Sequence, residues 1–277
     1  MLSDFTAREP LVLVGCGNMG AAMATRWLDR GLDPAAFHVI DPVAKAALDG
    51  ADPGHFHESP DRLPGSVHPR MIVVAVKPQI IADVLAALEP VLAADTLVVS
   101  VAAGTAMDSL QRGLGGHRCI VRAMPNTPAA VGAGVTLLYA GSGVEELDRV
   151  LAGQCMSAVG RVFWMKSEDQ LDAGTAISGC GPAYCFHMVE AMAAAARDLG
   201  LEPDMAEDMA RHTLIGAGAL LASRTDVSAA DLRQQVTSPN GVTAAGLEEL
   251  KDGGELVSLM KRTARAALKR ARTLAGR

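Results

Sequence analysis

The sequence predicts an α/β fold, with a doubly wound parallel sheet in the first part of the chain and helices alone in the second. Three observations carry this. Short apolar, β-branched runs alternate with helical runs as far as Trp164, the pattern of strands joined by crossover helices. The first of these runs leads straight into a Gly-x-Gly-x-x-Gly turn and a small-residue helix. From Leu171 onward the apolar spacing is helical throughout.

Each element follows in order. Leu11 to Val14 is the first strand. Gly15-Cys16-Gly17-Asn18-Met19-Gly20 follows it, then a helix from Ala21 to Arg30 closed by Gly31. His38 to Asp41 is the second strand and ends in an acid. Met71 to Val76 is a buried parallel strand, broken by Lys77-Pro78-Gln79, and Ile80 to Leu88 is a helix that stops before Pro90. Leu97 to Val101 is a strand ending at Ala102-Ala103-Gly104, and Met107 to Leu114 a helix. Cys119 to Arg122, Val135 to Tyr139 and Arg161 to Trp164 complete the strands. After the polar junction 166–170, a helix begins over Leu171 to Ile177 and Ser178-Gly179-Cys180-Gly181-Pro182 interrupts it, with Pro182 suited to the first turn of the next helix. Helices then span Ala183 to Leu199, Asp204 to Ser223, Ala229 to Gln235, Ala244 to Lys251 and Glu255 to Ala275. The expected domains are 1–165, a Rossmann-type dinucleotide-binding domain, and 166–277, a helical substrate-binding and dimerisation domain.

Composition narrows the function. Apolar residues make up 49% of the 277 but aromatics only 3%, so the core is built from Ala, Val, Leu, Ile and Met. The net charge of −6 and the lack of a basic stripe with interleaved aromatics argue against nucleic acid. The basic tail from Lys261 to Arg277 reads as the solvated, dipole-favoured end of a last helix. The five cysteines have no Cys-x-x-Cys spacing, which gives neither a metal site nor a disulfide framework. No apolar run reaches membrane-spanning length and the N-terminus lacks a signal pattern, so a cytoplasmic protein off the membrane is expected.

The glycine turn predicts dinucleotide binding, because the strand before it, the helix after it and the acid at Asp41 all fall on schedule. One glycine allows the turn, one lets backbone approach a pyrophosphate, and one lets helix pack on strand. Asp41 reads as the acceptor for ribose hydroxyls, which leans the cofactor toward NAD, since it would repel the 2′-phosphate of NADP and only Lys45 follows. Asp41 also reads as a turn residue capping Pro42, which leaves NADP open. Ligands in such sheets sit outside the carboxyl ends of strands. That places Gly15 to Gly20, Lys77-Pro78, Ala102 to Gly104 and Met124-Pro125-Asn126-Thr127-Pro128 on one rim. Lys77 reads either as a cation near nicotinamide or substrate, hence a catalytic candidate, or as an exposed loop lysine. Asn126, held between two prolines, reads as an amide contact to ligand.

In the helical half, Ala183 to Leu199 is apolar almost all round and needs covering on every side. Pairing with a second copy supplies that cover, so a homodimer through the helical domain is expected. Val236-Thr237-Ser238-Pro239-Asn240-Gly241-Val242-Thr243 reads as a tight loop feeding a helix N-terminus. Free backbone N–H groups and the positive dipole end suit it to an anion such as a carboxylate.

With these residues in place, the chain resembles the pyrroline-5-carboxylate reductases nearly end to end. The resemblance is carried by Gly15 to Gly20, Ala75-Val76-Lys77-Pro78, Ser100 to Gly104, Arg122 to Ala129, Ser178 to Tyr184 and Val236 to Thr243. It implies reduction of 1-pyrroline-5-carboxylate to proline by NAD(P)H. It implies that Ser238, Asn240, Gly241 and Val242 lie in the loop that holds the substrate carboxylate, and that Thr243 hydrogen-bonds the ring nitrogen. It implies that residues of Ala102 to Gly104 and of Met124 to Thr127, Ala102, Gly104, Pro125 and Asn126 among them, contact nicotinamide and substrate; Ala75, Lys77 and Pro78 on the same rim are further cofactor-binding candidates. It also implies paired helical domains, with higher assemblies such as a decamer of five dimers. A cap role for Thr243 stands beside the catalytic one. Three positions depart from the family pattern: Cys180 for a serine, Asn240 for a glycine, and Val242 for a threonine or alanine. Asparagine tolerates positive φ, so the loop is expected to keep its shape. The alternatives are a non-catalytic dinucleotide-binding regulator and a β-hydroxyacid dehydrogenase. The latter uses a lysine on its first long helix, and Ala183 to Leu199 has none.

Overall fold

The computed structural model describes residues 2–43 and 48–276. Lys45 lies outside the described residues. The chain forms two compact units, residues 1–180 with 267–277, and residues 181–266.

The first unit is built on an eight-stranded sheet in the order β3-β2-β1-β4-β5-β6-β7-β8. The strands are β1 Leu11–Val14, β2 Phe37–Ile40, β3 Phe56–His57, β4 Met71–Val74, β5 Leu97–Ser100, β6 Ile120–Met124, β7 Gly134–Ala140 and β8 Gly160–Trp164. The expected parallel sheet is present with one exception, since β6 and β7 run antiparallel. Their connection, residues 125–133, holds only a 3-10 turn over Thr127–Val131. That is too short for the crossover a parallel neighbour needs. β8 returns parallel to β7 because a helix joins them, Glu146–Ser157. No helix was expected there.

β1, β2, β4 and β5 are buried along their whole length, as strands covered on both faces must be. Alternate residues serve opposite layers. Leu11 and Leu13 pack with Met23 and Trp27 of α1 (Asn18–Asp29), while Val12 and Val14 pack with Leu85 of α2 (Ile81–Leu88) and Leu110 of α3 (Met107–Gly113). The helix Glu146–Ser157 is α4 and lies on the α1 side, where Trp27 Nε1 donates to Cys155 O at 2.9 Å. Each large side chain fully buried in these layers contributes roughly 1.5–3 kcal/mol by leaving water.

Helix α5 (Glu168–Gly174) runs into a π turn over Thr175–Gly179, and α6 (Gly181–Asp198) begins one residue later. The expected break at Ser178 to Pro182 is therefore a widened helical turn. Pro182 does sit in the first turn of α6, where its missing N–H costs nothing.

The second unit contains α6, α7 (Pro203–Ser223), α8 (Ala229–Gln235), α9 (Val242–Lys251) and the first part of α10 (Glu255–Leu274). α6 and α7 pack on each other. Ala193 is the buried residue of α6, while Phe186, Met188 and Met192 stay exposed in the single chain. The full cover its composition demands is not supplied by one copy. Among the described residues no helix is long and apolar enough to cross a membrane, and no three His, Cys, Asp or Glu side chains gather as a metal site.

Candidate functional site

The sheet order reverses between β1 and β4, and the crevice at such a switch point is where dinucleotides bind. A cleft of about 770 Å³ opens there, lined by Gly15, Gly17, Asp41, Ala75 and Lys77 among others.

The three glycines separate by what a side chain would meet. Gly15 has φ +90°, and a Cβ on it would lie 2.7 Å from Val76 and 2.8 Å from Ala75 O. A Cβ on Gly20 would overlap Gly15 O, so α1 can sit this close to β1 only without one. A Cβ on Gly17 would meet nothing within 4 Å. That space, at the start of α1, is the cradle a pyrophosphate needs, with backbone N–H groups and the dipole end facing it. Asn18 and Met19 form the first turn of the same helix. The residues present thus fit a dinucleotide.

Asp41 stands one residue past β2 and is held at both oxygens. Cys16 N donates to Oδ2 at 2.7 Å, and Val43 N donates to Oδ1 at 2.8 Å. The carboxylate therefore bridges the glycine turn and the β2 exit, serving as a turn residue and facing the cleft at once. Burial, and then the Asp41 charge, push the Cys16 thiol up. Lys77 is exposed and precedes a short turn over Pro78–Ile80. Glu58 and Ser59 also line the cleft; they follow β3, a two-residue strand too brief to announce itself in the sequence.

Ala102, Gly104, Pro125 and Asn126 sit past the ends of β5 and β6 and do not line this cleft. Gly104 has φ +71° and packs against Leu274 of the returning α10 end. Pro125 and Asn126 are buried. The Asn126 amide is engaged by the protein: Nδ2 donates to Ser178 O at 2.8 Å, and Oδ1 accepts from Val135 N at 2.8 Å. It ties the β6 rim to the π turn. The same strand carries an ion pair the sequence did not reveal, between Arg122 of β6 and Glu168 of α5.

In the second unit the loop before α9 is a hydrogen-bonded turn, with Gly241 N donating to Ser238 O at 3.1 Å. Pro239 and Asn240 are its central residues, and Asn240 has φ 57°. Proline followed by a positive-φ residue is the signature of a type II turn, so asparagine keeps the shape that glycine gives. Gly241 occupies the N-cap of α9 and Thr243 the second helical position. Thr243 therefore does not cap the helix. Ser238, Asn240, Val242 and Thr243 are exposed, beside the first N–H groups of α9, which lack helical partners.

Residues 168–274 match the family described as pyrroline-5-carboxylate reductase dimerisation, and residues 10–104 match one described as NADP oxidoreductase, coenzyme F420-dependent. The chain is 37% identical over 265 residues to a pyrroline-5-carboxylate reductase of Pseudomonas aeruginosa, covering 96% of each. Among solved structures it is similar to the pyrroline-5-carboxylate reductase of Coxiella burnetii, with TM-score 0.86, 36% identity, and 97% and 99% of the two chains covered. The Plasmodium falciparum pyrroline carboxylate reductase, solved with NADP bound, gives TM-score 0.80 at 26% identity over 98% of this chain and 99% of that one. With its dinucleotide cleft, its type II turn ahead of α9 and a dimerisation segment from residue 168, the chain belongs to the pyrroline-5-carboxylate reductase family.

Proposed function

We propose that this protein reduces 1-pyrroline-5-carboxylate to L-proline with NADH or NADPH. The observation that carries the reading is the end-to-end match to reductases of that name, supported by a cleft whose glycines leave room for a pyrophosphate at Gly17. Gly15, Gly17, Asn18, Met19 and Gly20 cradle the pyrophosphate. Asp41 faces the adenosine ribose, and Ala75, Lys77, Pro78, Ala102, Gly104 and Asn126 surround the nicotinamide side. Ser238, Asn240, Gly241 and Val242 hold the substrate carboxylate through the turn and the α9 N-terminus, with Pro125 against the ring.

Reduced nicotinamide, when bound, supplies the hydride. The protonated cyclic imine is already electrophilic, so the chain's task is orientation and neutralisation of the carboxylate. Thr243 hydrogen-bonds the ring nitrogen and orients it; a neutral hydroxyl is too weak an acid to protonate the imine outright. Lys77 adds positive charge at the cofactor edge. The helical segment pairs two copies, five dimers close into a decamer, and the protein works in the cytoplasm.

Asp41 supports a preference for NADH, because its carboxylate is fixed at the ribose end and a 2′-phosphate would add like charge beside it. Purified protein given 1-pyrroline-5-carboxylate with either cofactor tests both points. Oxidation of both, with a higher kcat/KM for NADH, is expected. Oxidation of neither, by folded protein that still binds cofactor, removes the reductase reading. A large NADPH preference assigns Asp41 to the turn alone.

A further inference from the structure

We infer that Glu168 is a positioning residue for this reaction, joining the two rim loops that follow β5 and β6. The inference rests on the reductase reading above. Oε1 of Glu168 accepts from two donors, Arg122 Nη1 and Met107 N, the latter at 2.9 Å. Arg122 lies on β6, two residues before Met124 and the Pro125–Pro128 rim, and its side chain is only 4% exposed. Met107 begins α3, directly after the segment that carries Ala102 and Gly104. One carboxylate oxygen thus touches the roots of both loops.

The arrangement answers needs on each side. The residue before α3, Ala106, provides no side-chain cap, so the first N–H of that helix looks outside its own segment for an acceptor. A carboxylate at a helix N-terminus is also favoured by the dipole. The Arg122 guanidinium, out of water, needs an anionic partner. Glu168 itself is firmly placed, since Ser167 caps α5 by accepting from Gln170 N at 3.2 Å and Lys166 N donates to Gln170 Oε1 at 2.9 Å. Asn126 continues the chain of ties, from the β6 rim to Ser178 O in the π turn. The loops after β5 and β6 are therefore held to α5 by side chains that need not touch substrate. A hydride transfer depends on the distance between donor and acceptor carbons, and a misplacement of about 1 Å costs on the order of a hundredfold.

Two variants test this. Glu168→Gln keeps an acceptor for Met107 N but removes the charge opposite Arg122, and Glu168→Ala removes both. The measurements are kcat, the KM for the imine, cofactor Kd by fluorescence, and the deuterium isotope effect on kcat with cofactor labelled at the transferred position. We expect kcat to fall on the order of tenfold in Glu168→Gln and a hundredfold in Glu168→Ala, with Kd and KM moving less. The isotope effect should rise as hydride transfer becomes limiting, and Glu168→Asp should recover part of the rate. A folded Glu168→Gln with unchanged kcat and isotope effect overturns the inference, whatever its Tm; if Glu168→Ala does not fold, Glu168→Gln decides. No turnover by the unmodified enzyme defeats the reductase reading and this inference with it, whereas undiminished variants of an active enzyme defeat this inference alone.

Discussion

Thr243 stands at the second position of α9 with its side chain exposed and a glycine in the cap position before it. Its hydroxyl is not needed to start the helix, so its loss should read out in chemistry. Thr243→Ala is expected to lower kcat by about a hundredfold through lost orientation of the ring while cofactor Kd, measured by fluorescence, stays within about twofold. Full activity in that variant takes Thr243 out of the mechanism. A second prediction, on stability toward acid, concerns His38. His38 is 3% exposed, lies 2.9 Å from His57 through ring nitrogens and stacks on His55 at 4.1 Å between centroids. Burial first, then His55 and His57, lower its pKa from 6.5 to about 4, and His57 is lowered by burial and His55. Between these values the unfolded chain binds the proton and the folded chain does not, so folding stability rises with pH and is lost as pH falls from 6.5 toward 4. The slope should reach about 1.4 kcal/mol per pH unit for His38, and His38→Gln should flatten it in denaturant unfolding across that window. An equal slope in the variant would show that other groups set the acid limit.

At the scale of elements, the glycine turn yields a paired test. Gly17→Ala meets open space, and Gly17 has φ −72°, so Tm should change little while cofactor Kd rises about tenfold or more through the lost backbone approach. Gly20→Ala drives a Cβ into Gly15 O, which should destabilise the fold by roughly 1–3 kcal/mol or more. Thermal melts and cofactor titrations on both variants check this, and the reverse ranking would mean that the two glycines exchange roles. The turn was legible because its requirements are local: strand, φ-permissive residue, open cradle and helix follow one another in the chain. Asn240 was legible for the same reason, and its positive φ bears out the expectation. The antiparallel β7 was not, since direction depends on the length of a connection whose prolines looked only like a loop. Helix α4 escaped notice because its start is marked by an acidic capping box, Glu145 with Asp148, in place of the usual Ser or Thr.

At the scale of the whole molecule, the chain divides into two compact units, residues 1–180 with 267–277 and residues 181–266. The helix Ala183 to Leu199, apolar almost all round, foretold a need for a partner copy, and the exposed Phe186, Met188 and Met192 on α6 agree with a dimerisation segment at 168–274. What the sequence hid is long-range. Nothing in a polar junction at Glu168 announces a carboxylate that reaches Arg122, 46 residues earlier, and Met107 N, 61 residues earlier. In the proposed reaction, hydride passes from nicotinamide to the imine carbon of a carboxylate-bearing ring. Its most direct test supplies cofactor deuterated at the transferred position together with 1-pyrroline-5-carboxylate, and reads the product by mass spectrometry and NMR. The expected product is L-proline carrying one deuterium on the former imine carbon; unlabelled proline, or no proline from protein that binds the cofactor, would rule this reaction out.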